Sequence, residues 1–197
     1  MAITTKLDSV NIILSNIGQA PVTALDTGNP LTETAELVLI EVSRTVQAAG
    51  WYFNTEYCYP LIPDVFGEVR IPPNILSMDF TPYSDKNVVQ RQGKLYNRTD
   101  HTYKFTGQLE LDIVWLEEFE DIPEAFIDYI TIRAANVFAG RVVGSTEAVR
   151  FGQQEEALAR AGAIEYDTQQ GDYSMFSNKN NTTTYRAYRP VQALYRF

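Results

Sequence analysis

From Leu7 the chain repeats apolar side chains at three- and four-residue steps. Leu7, Val10, Leu14 and Ile17 fall on one face and Gly18 follows as a stop, which predicts a helix over residues 5–17. Pro21 and the Asp26-Thr27-Gly28-Asn29 run predict a loop. A second helix starts at Asn29 or Thr32, with Pro30 suited to a first-turn position where its missing N–H costs nothing. Its stripe is Leu31, Ala35, Val38, Leu39, Val42, Val46 and Ala49, and Gly50 ends it. There the period changes to two. Trp51, Phe53, Tyr57, Tyr59 and Leu61 read as strand, which Pro60 and Pro63 confine to an edge or a short piece. Further β runs cover residues 68–71, 75–80, 88–92, 94–97 and 109–116, punctuated by Gly67, Pro72-Pro73, Gly93 and Gly107. In the last run Leu109, Leu111, Ile113 and Trp115 alternate with Glu110, Asp112 and Val114, so one face is covered.

The helical period returns at Pro123-Glu124, a good start because proline lacks only an orphan N–H and the carboxylate meets the positive helix end. Phe126, Ile130, Ala134, Val137 and Phe138 form the inner face of this third helix. A fourth begins at Ser145 or Thr146 and runs to residues 166–170, with a weaker stripe of Val149, Ala157, Ala161 and Ile164. The order predicts an α+β fold: a four-helix bundle with a β-rich insertion between helices 2 and 3, plus an extended C-terminal tail. Residues 1–50 and 121–171 are assigned to the bundle, 51–120 to the insertion and 172–197 to the tail.

The tail differs in kind. Residues 177–184 are polar and aperiodic, and beyond them Tyr185, Tyr188, Tyr195 and Phe197 are interleaved with Arg186, Arg189 and Arg196. Tyr and Arg bury large area and make directed hydrogen bonds, so these seven residues are the candidate partner interface. The tail either reaches another subunit or packs back on its own bundle. Lys179 and its three arginines against Asp172 give it a net +3, which leaves −12 of the chain's total −9 on residues 1–171. With a pI near 4.6, that acidic body argues against an electrostatic nucleic-acid binder. No run of 18 or more apolar residues exists to span a bilayer, and the N-terminus lacks the basic-then-apolar order of a signal peptide. A cytosol-like compartment is expected, and the single Cys58 excludes an internal disulfide framework.

Candidate chemistry is sparse. His101 sits in a polar turn without a second histidine or cysteine at ligand spacing, so no metal site is expected. Cys58, between Tyr57 and Tyr59, reads as a small buried residue. Neither a phosphate-cradling glycine loop nor a Gly-x-Ser-x-Gly elbow is present, so no nucleotide cofactor or serine nucleophile is assigned. Glu117, Glu118, Glu120, Asp121 and Glu124 form one acidic cluster. Paired carboxylates serve glycoside hydrolysis, which keeps a polysaccharide hydrolase open as an alternative, and they can also hold divalent cations. Acids on a strand-to-helix turn are equally accounted for by solvation and a helix N-terminus. No catalytic residue is assigned.

Several blocks, in order, resemble the phage tail tubular protein A family. They are residues 7–22 (LDSVNIILSNIGQAPV), 50–56 (GWYFNTE), 61–64 (LIPD), 119–126 (FEDIPEAF) and 130–138. They cover most of residues 7–170; the tail lies outside the resemblance. The resemblance implies a non-enzymatic head-to-tail adaptor of short-tailed phages. Such proteins form a ring, usually of twelve copies, between the portal protein and the tail nozzle, tail tubular protein B. DNA passes through without specific binding, and no membrane is involved. It further implies residence in the virion tail after assembly in the host cytoplasm. A head-completion protein of another tail type is the remaining possibility.

Overall fold

The computed structural model describes residues 4–26, 28–80, 88–144 and 146–171. Thr5 and Asp8 open the first helix, α1 (Lys6–Asn16), with a reciprocal capping box: the Asp8 N–H donates to the Thr5 hydroxyl oxygen and the Thr5 N–H to the Asp8 carboxylate. Gly18 closes it at φ +75°, with the Gln19 N–H on the Leu14 carbonyl and the Gly18 N–H on Ser15. The side-chain amide of Asn11 then exchanges two hydrogen bonds with the Val22 backbone, at 2.8 and 3.0 Å, which ties the following loop to α1. Helix α2 (Pro30–Gln47) starts on Asn29, whose Oδ1 accepts from the Leu31 N–H. It buries Ala35, Val38, Leu39, Val42 and Val46, together with the polar Thr32, Ser43 and Gln47.

After Gly50 the structure departs from the strand expected at Trp51 and Phe53. Tyr52–Asn54 is a 3-10 turn, closed by the Asn54 side chain accepting from the Trp51 N–H at 2.9 Å. Strand begins only at β1 (Thr55–Leu61). A three-stranded antiparallel sheet follows in the order β1, β5 (Leu109–Trp115), β2 (Ile75–Phe80), so β1 is an edge strand that tolerates Pro60. Its register to β5 shifts between Glu56 and Tyr59, and Cys58 at this bulge adopts φ +56°. β3 (Val88–Arg91) and β4 (Lys94–Asn97) make a separate hairpin. The expected run 68–71 contributes isolated bridges, with Arg70 paired to Lys94, and forms no named strand.

A second 3-10 turn (Phe119–Asp121) leads into α3 (Glu124–Val142), with Pro123 at the N-cap. Phe126, Ile127, Tyr129, Ile130, Thr131, Ala134, Ala135, Phe138 and Ala139 are all buried, too many for one stripe. The reason is position: α3 packs against α1, α2 and α4 (Thr146–Gly171) and is the central helix. Two apolar clusters result among the described residues, one around α3 and one on the sheet face carrying Leu61, Val69, Leu95, Leu111 and Ile113. A fully buried side chain such as Phe138 contributes about 1.5–3 kcal/mol.

The fourth helix has the expected extent and a different inner face. Ala157, Ala161 and Ile164 point to solvent, and Val149 lies outside the described side chains. Contact with α3 runs instead through Gly152, Glu156, Ala159, Ala163 and Tyr166. Asn136 of α3 donates to the Gly152 carbonyl at 2.8 Å, and a Cβ at Gly152 would fall 1.9 Å from the Asn136 oxygen. Small residues thus let the helices approach. No helix among the described residues is long and apolar enough to cross a membrane.

Candidate assembly surfaces

The helical and β clusters meet around Gln47, Asn54, Trp51 and Phe53. Gln47, wholly buried near the end of α2, accepts from the Glu117 N–H at 2.8 Å and donates to the Glu117 carbonyl at 3.2 Å and to Ser43 at 3.1 Å. Asn54 donates to the carbonyls of Gln47, at 3.0 Å, and Trp115, at 2.8 Å. Trp51 donates its indole N–H to the Val46 carbonyl at 2.7 Å, and its ring and that of Phe53 pack 4.9 and 4.8 Å from Phe126. The end of α2, the start of β1 and the exit of β5 are thereby fixed to one another. The aromatic pair stands in the run that reads as strand; the two amides gave no sequence signal, since their role needs partners 70 and 61 residues away.

The acidic cluster sits on the exit from β5. Glu117 and Glu118 border a cleft of about 280 Å³ shared with Lys6, Ile40, Arg44 and Phe119. Lys6 is already held by Glu36 at 2.6 Å. Partial burial, followed by the nearby charges of Asp121, Glu56 and Glu118, pushes the Glu117 carboxyl up. Among the described residues no group of three or more His, Cys, Asp or Glu side chains is arranged to hold a metal ion. His101 lies exposed in its turn at φ +53°, with Nδ1 3.4 Å from the Tyr96 hydroxyl. Cys58, expected to be buried, is exposed: the bulge turns it out of the edge strand, and its N–H donates to Asp112 at 2.9 Å.

Large apolar side chains stand on several exposed surfaces. Leu37 and Ile40 lie on the outer side of α2. After β1 a tight turn displays Ile62, Val65 and Phe66, held from below by Asp64, whose carboxylate accepts from the N–H groups of Phe66 and Glu68 at 2.9 and 3.0 Å. Val65 is 94% exposed, beyond what single surface residues need. Between α3 and α4 runs an open groove of about 630 Å³ lined by Asp128, Ile132, Glu155, Leu158, Ala159 and Gly162. Partial burial, then Glu124, pushes the Asp128 carboxyl up. The candidate interface residues Tyr185, Arg186, Tyr188, Arg189, Tyr195, Arg196 and Phe197 lie outside the described residues.

The chain's relatives match this picture of surfaces without a catalytic centre. Residues 7–173 match the family described as tail tubular protein, so the match runs from α1 through the end of α4 and stops at the tail. Tail tubular protein A of Klebsiella phage KP34 is 26% identical over 152 residues, 77% of this chain and 81% of that protein. The family is structural, which removes the polysaccharide hydrolase alternative. This chain belongs to the tail tubular protein family and is a structural, non-enzymatic component of the bacteriophage virion tail.

Proposed function

We propose that the protein is a head-to-tail adaptor whose copies form a ring between the portal and the nozzle, tail tubular protein B, with DNA passing through the middle. The observation that carries this reading is the sign of the charge on the chain ahead of the tail: residues 1–171 hold −12. A conduit for DNA works by repelling the phosphates it guides, whereas a DNA-gripping protein needs a basic face. Twelve copies is the number implied by the likeness to tail tubular protein A. In this reading residues 1–50 and 121–171 build the ring and residues 51–120 face the nozzle, with Ile62, Val65 and Phe66 as contact side chains. The tail, 172–197, carries the partner contact through Tyr185, Arg186, Tyr188, Arg189, Tyr195, Arg196 and Phe197.

The test is the mass of the purified full chain by light scattering, alone and then mixed with portal complex. A monomer that adds to the portal as one discrete ring-sized increment supports an adaptor assembling on its template. A chain that leaves the portal's mass unchanged overturns the reading.

A further inference from the structure

The groove between α3 and α4 is acidic at its rim and apolar along its floor. Ile132 and Ala159 are half-buried in it, and Leu158 stands 75% exposed at its edge. Its carboxylates, Asp128 and Glu155, have no hydrogen bond or ion pair with a described residue. Acids without a partner among the described residues, over an apolar floor, suit a segment carrying cations beside large rings. Such a segment exists in the same chain, directly downstream of the helix that forms one wall.

We propose that in the free subunit this groove is occupied by the chain's own C-terminal segment, residues 185–197. The proposal rests on the reading of that segment as the adaptor's contact segment, and it says where the segment lies before assembly. The segment's tyrosine rings suit the apolar Leu158 and Ile132, and its arginines suit the carboxylates of Glu155 and Asp128. The complementarity is that of a +3 tail with an acidic body. Chain length permits the return. Helix α4 ends at Gly171, and the groove residues Gly162 to Glu155 lie roughly 14–24 Å back along its axis. Residues 172–184 can span at most about 45 Å, so Tyr185 reaches the groove with length to spare. Tethering also gives the segment an effective concentration on the order of millimolar at its own groove, well above that of any other copy in dilute solution. The family match ends at residue 173, so this device belongs to the part of the chain that the shared pattern does not cover.

Disulfide trapping in the full chain tests it. In a Cys58→Ser background, Leu158→Cys is combined with Ala187→Cys, and the protein is oxidised at micromolar dilution and analysed by intact mass and non-reducing gel. The expected product is a monomer with one internal disulfide. Adding Asp128→Lys and Glu155→Lys should slow its formation by roughly threefold to tenfold, since two attractive pairs become repulsive. A control pair, Leu37→Cys with Ala187→Cys, should close about tenfold more slowly, because residue 37 is exposed on α2 and does not line the groove. Equal rates at residues 158 and 37 would mean random collision and overturn the proposal, as would no closure at 158. Covalent dimers that grow with protein concentration would assign the groove to a neighbouring copy and overturn it as well. Failure of the adaptor reading shows elsewhere, in an unchanged portal mass, and leaves the trapping result untouched.

Discussion

Gln47 and Asn54 occupy places where an apolar side chain would satisfy the packing and fail the backbone. Each makes hydrogen bonds to main-chain groups where the chain crosses between the helical and β clusters: the Glu117 N–H and carbonyl for Gln47, the Trp51 N–H and the Trp115 carbonyl for Asn54, which also donates to the Gln47 carbonyl alongside the Gly50 N–H. A buried backbone group that loses its partner costs about 1–3 kcal/mol. Gln47→Leu and Asn54→Ala should therefore each lower unfolding stability by about 2–4 kcal/mol, read from urea midpoints at unchanged slope. Because both side chains tie the end of α2 to the exit of β5, Gln47 through Glu117 and Asn54 through Trp115, the double variant should lose less than the sum of the two. A loss below 1 kcal/mol in both would show that water replaces them.

Helix ends were legible because their chemistry is local: Asn29 before Pro30, Pro123, and the stops at Gly18 and Gly50 all sit where the residue types place them. Strands β2 and β4 likewise follow from alternation and turn residues alone. The faces of α4 were not legible. The periodic stripe picks out Val149, Ala157, Ala161 and Ile164, yet the helix turns Gly152, Ala159 and Ala163 inward, because close approach to α3 selects for small volume and not for hydrophobic mass. Trp51 and Phe53 misled in the other direction, since a two-residue step arises as readily from a 3-10 turn anchored on Asn54 as from a strand. The assembly surfaces were partly legible: the acidic body is in the composition, whereas the apolar turn at Val65 depends on the exposed Asp64 carboxylate accepting from two N–H groups of the turn, which no hydrophobic pattern announces. For α4 the reassigned face is checked by paired substitutions. Ala163→Leu should cost about 1–3 kcal/mol by overpacking, while Ala161→Lys should stay within about 0.5 kcal/mol of the parent in thermal melts. The opposite ranking would restore the face read from hydrophobicity.

The acidity of the whole molecule gives its stability two opposing dependences on pH. Asp8, Glu41 and Asp64 are held below their ordinary values, by the Thr5 side chain, by Arg141 and by the Glu68 N–H respectively. Stability from these three is present above their ordinary values of 3.8, 4.5 and 3.8 and is lost as pH falls through the lowered folded ones. Glu117 and Asp128 run the other way: each binds its proton more tightly when folded, so stability falls as pH rises from the ordinary value through the raised one. Glu117→Gln should thus melt higher than the parent at pH 7, with the gain fading as pH drops below 4.5, where both forms are neutral. A gain that persisted in acid would trace to packing instead. The central place of α3 has its own consequence for how the chain is made. Its contacts with α1 and α2 cannot form until residue 142 has left the ribosome, and the 95 residues after Gln47 take roughly 5–20 s to synthesise. For that interval the two N-terminal helices wait with their apolar stripes uncovered, while the sheet, whose strands lie wholly between them and α3, is free to fold first.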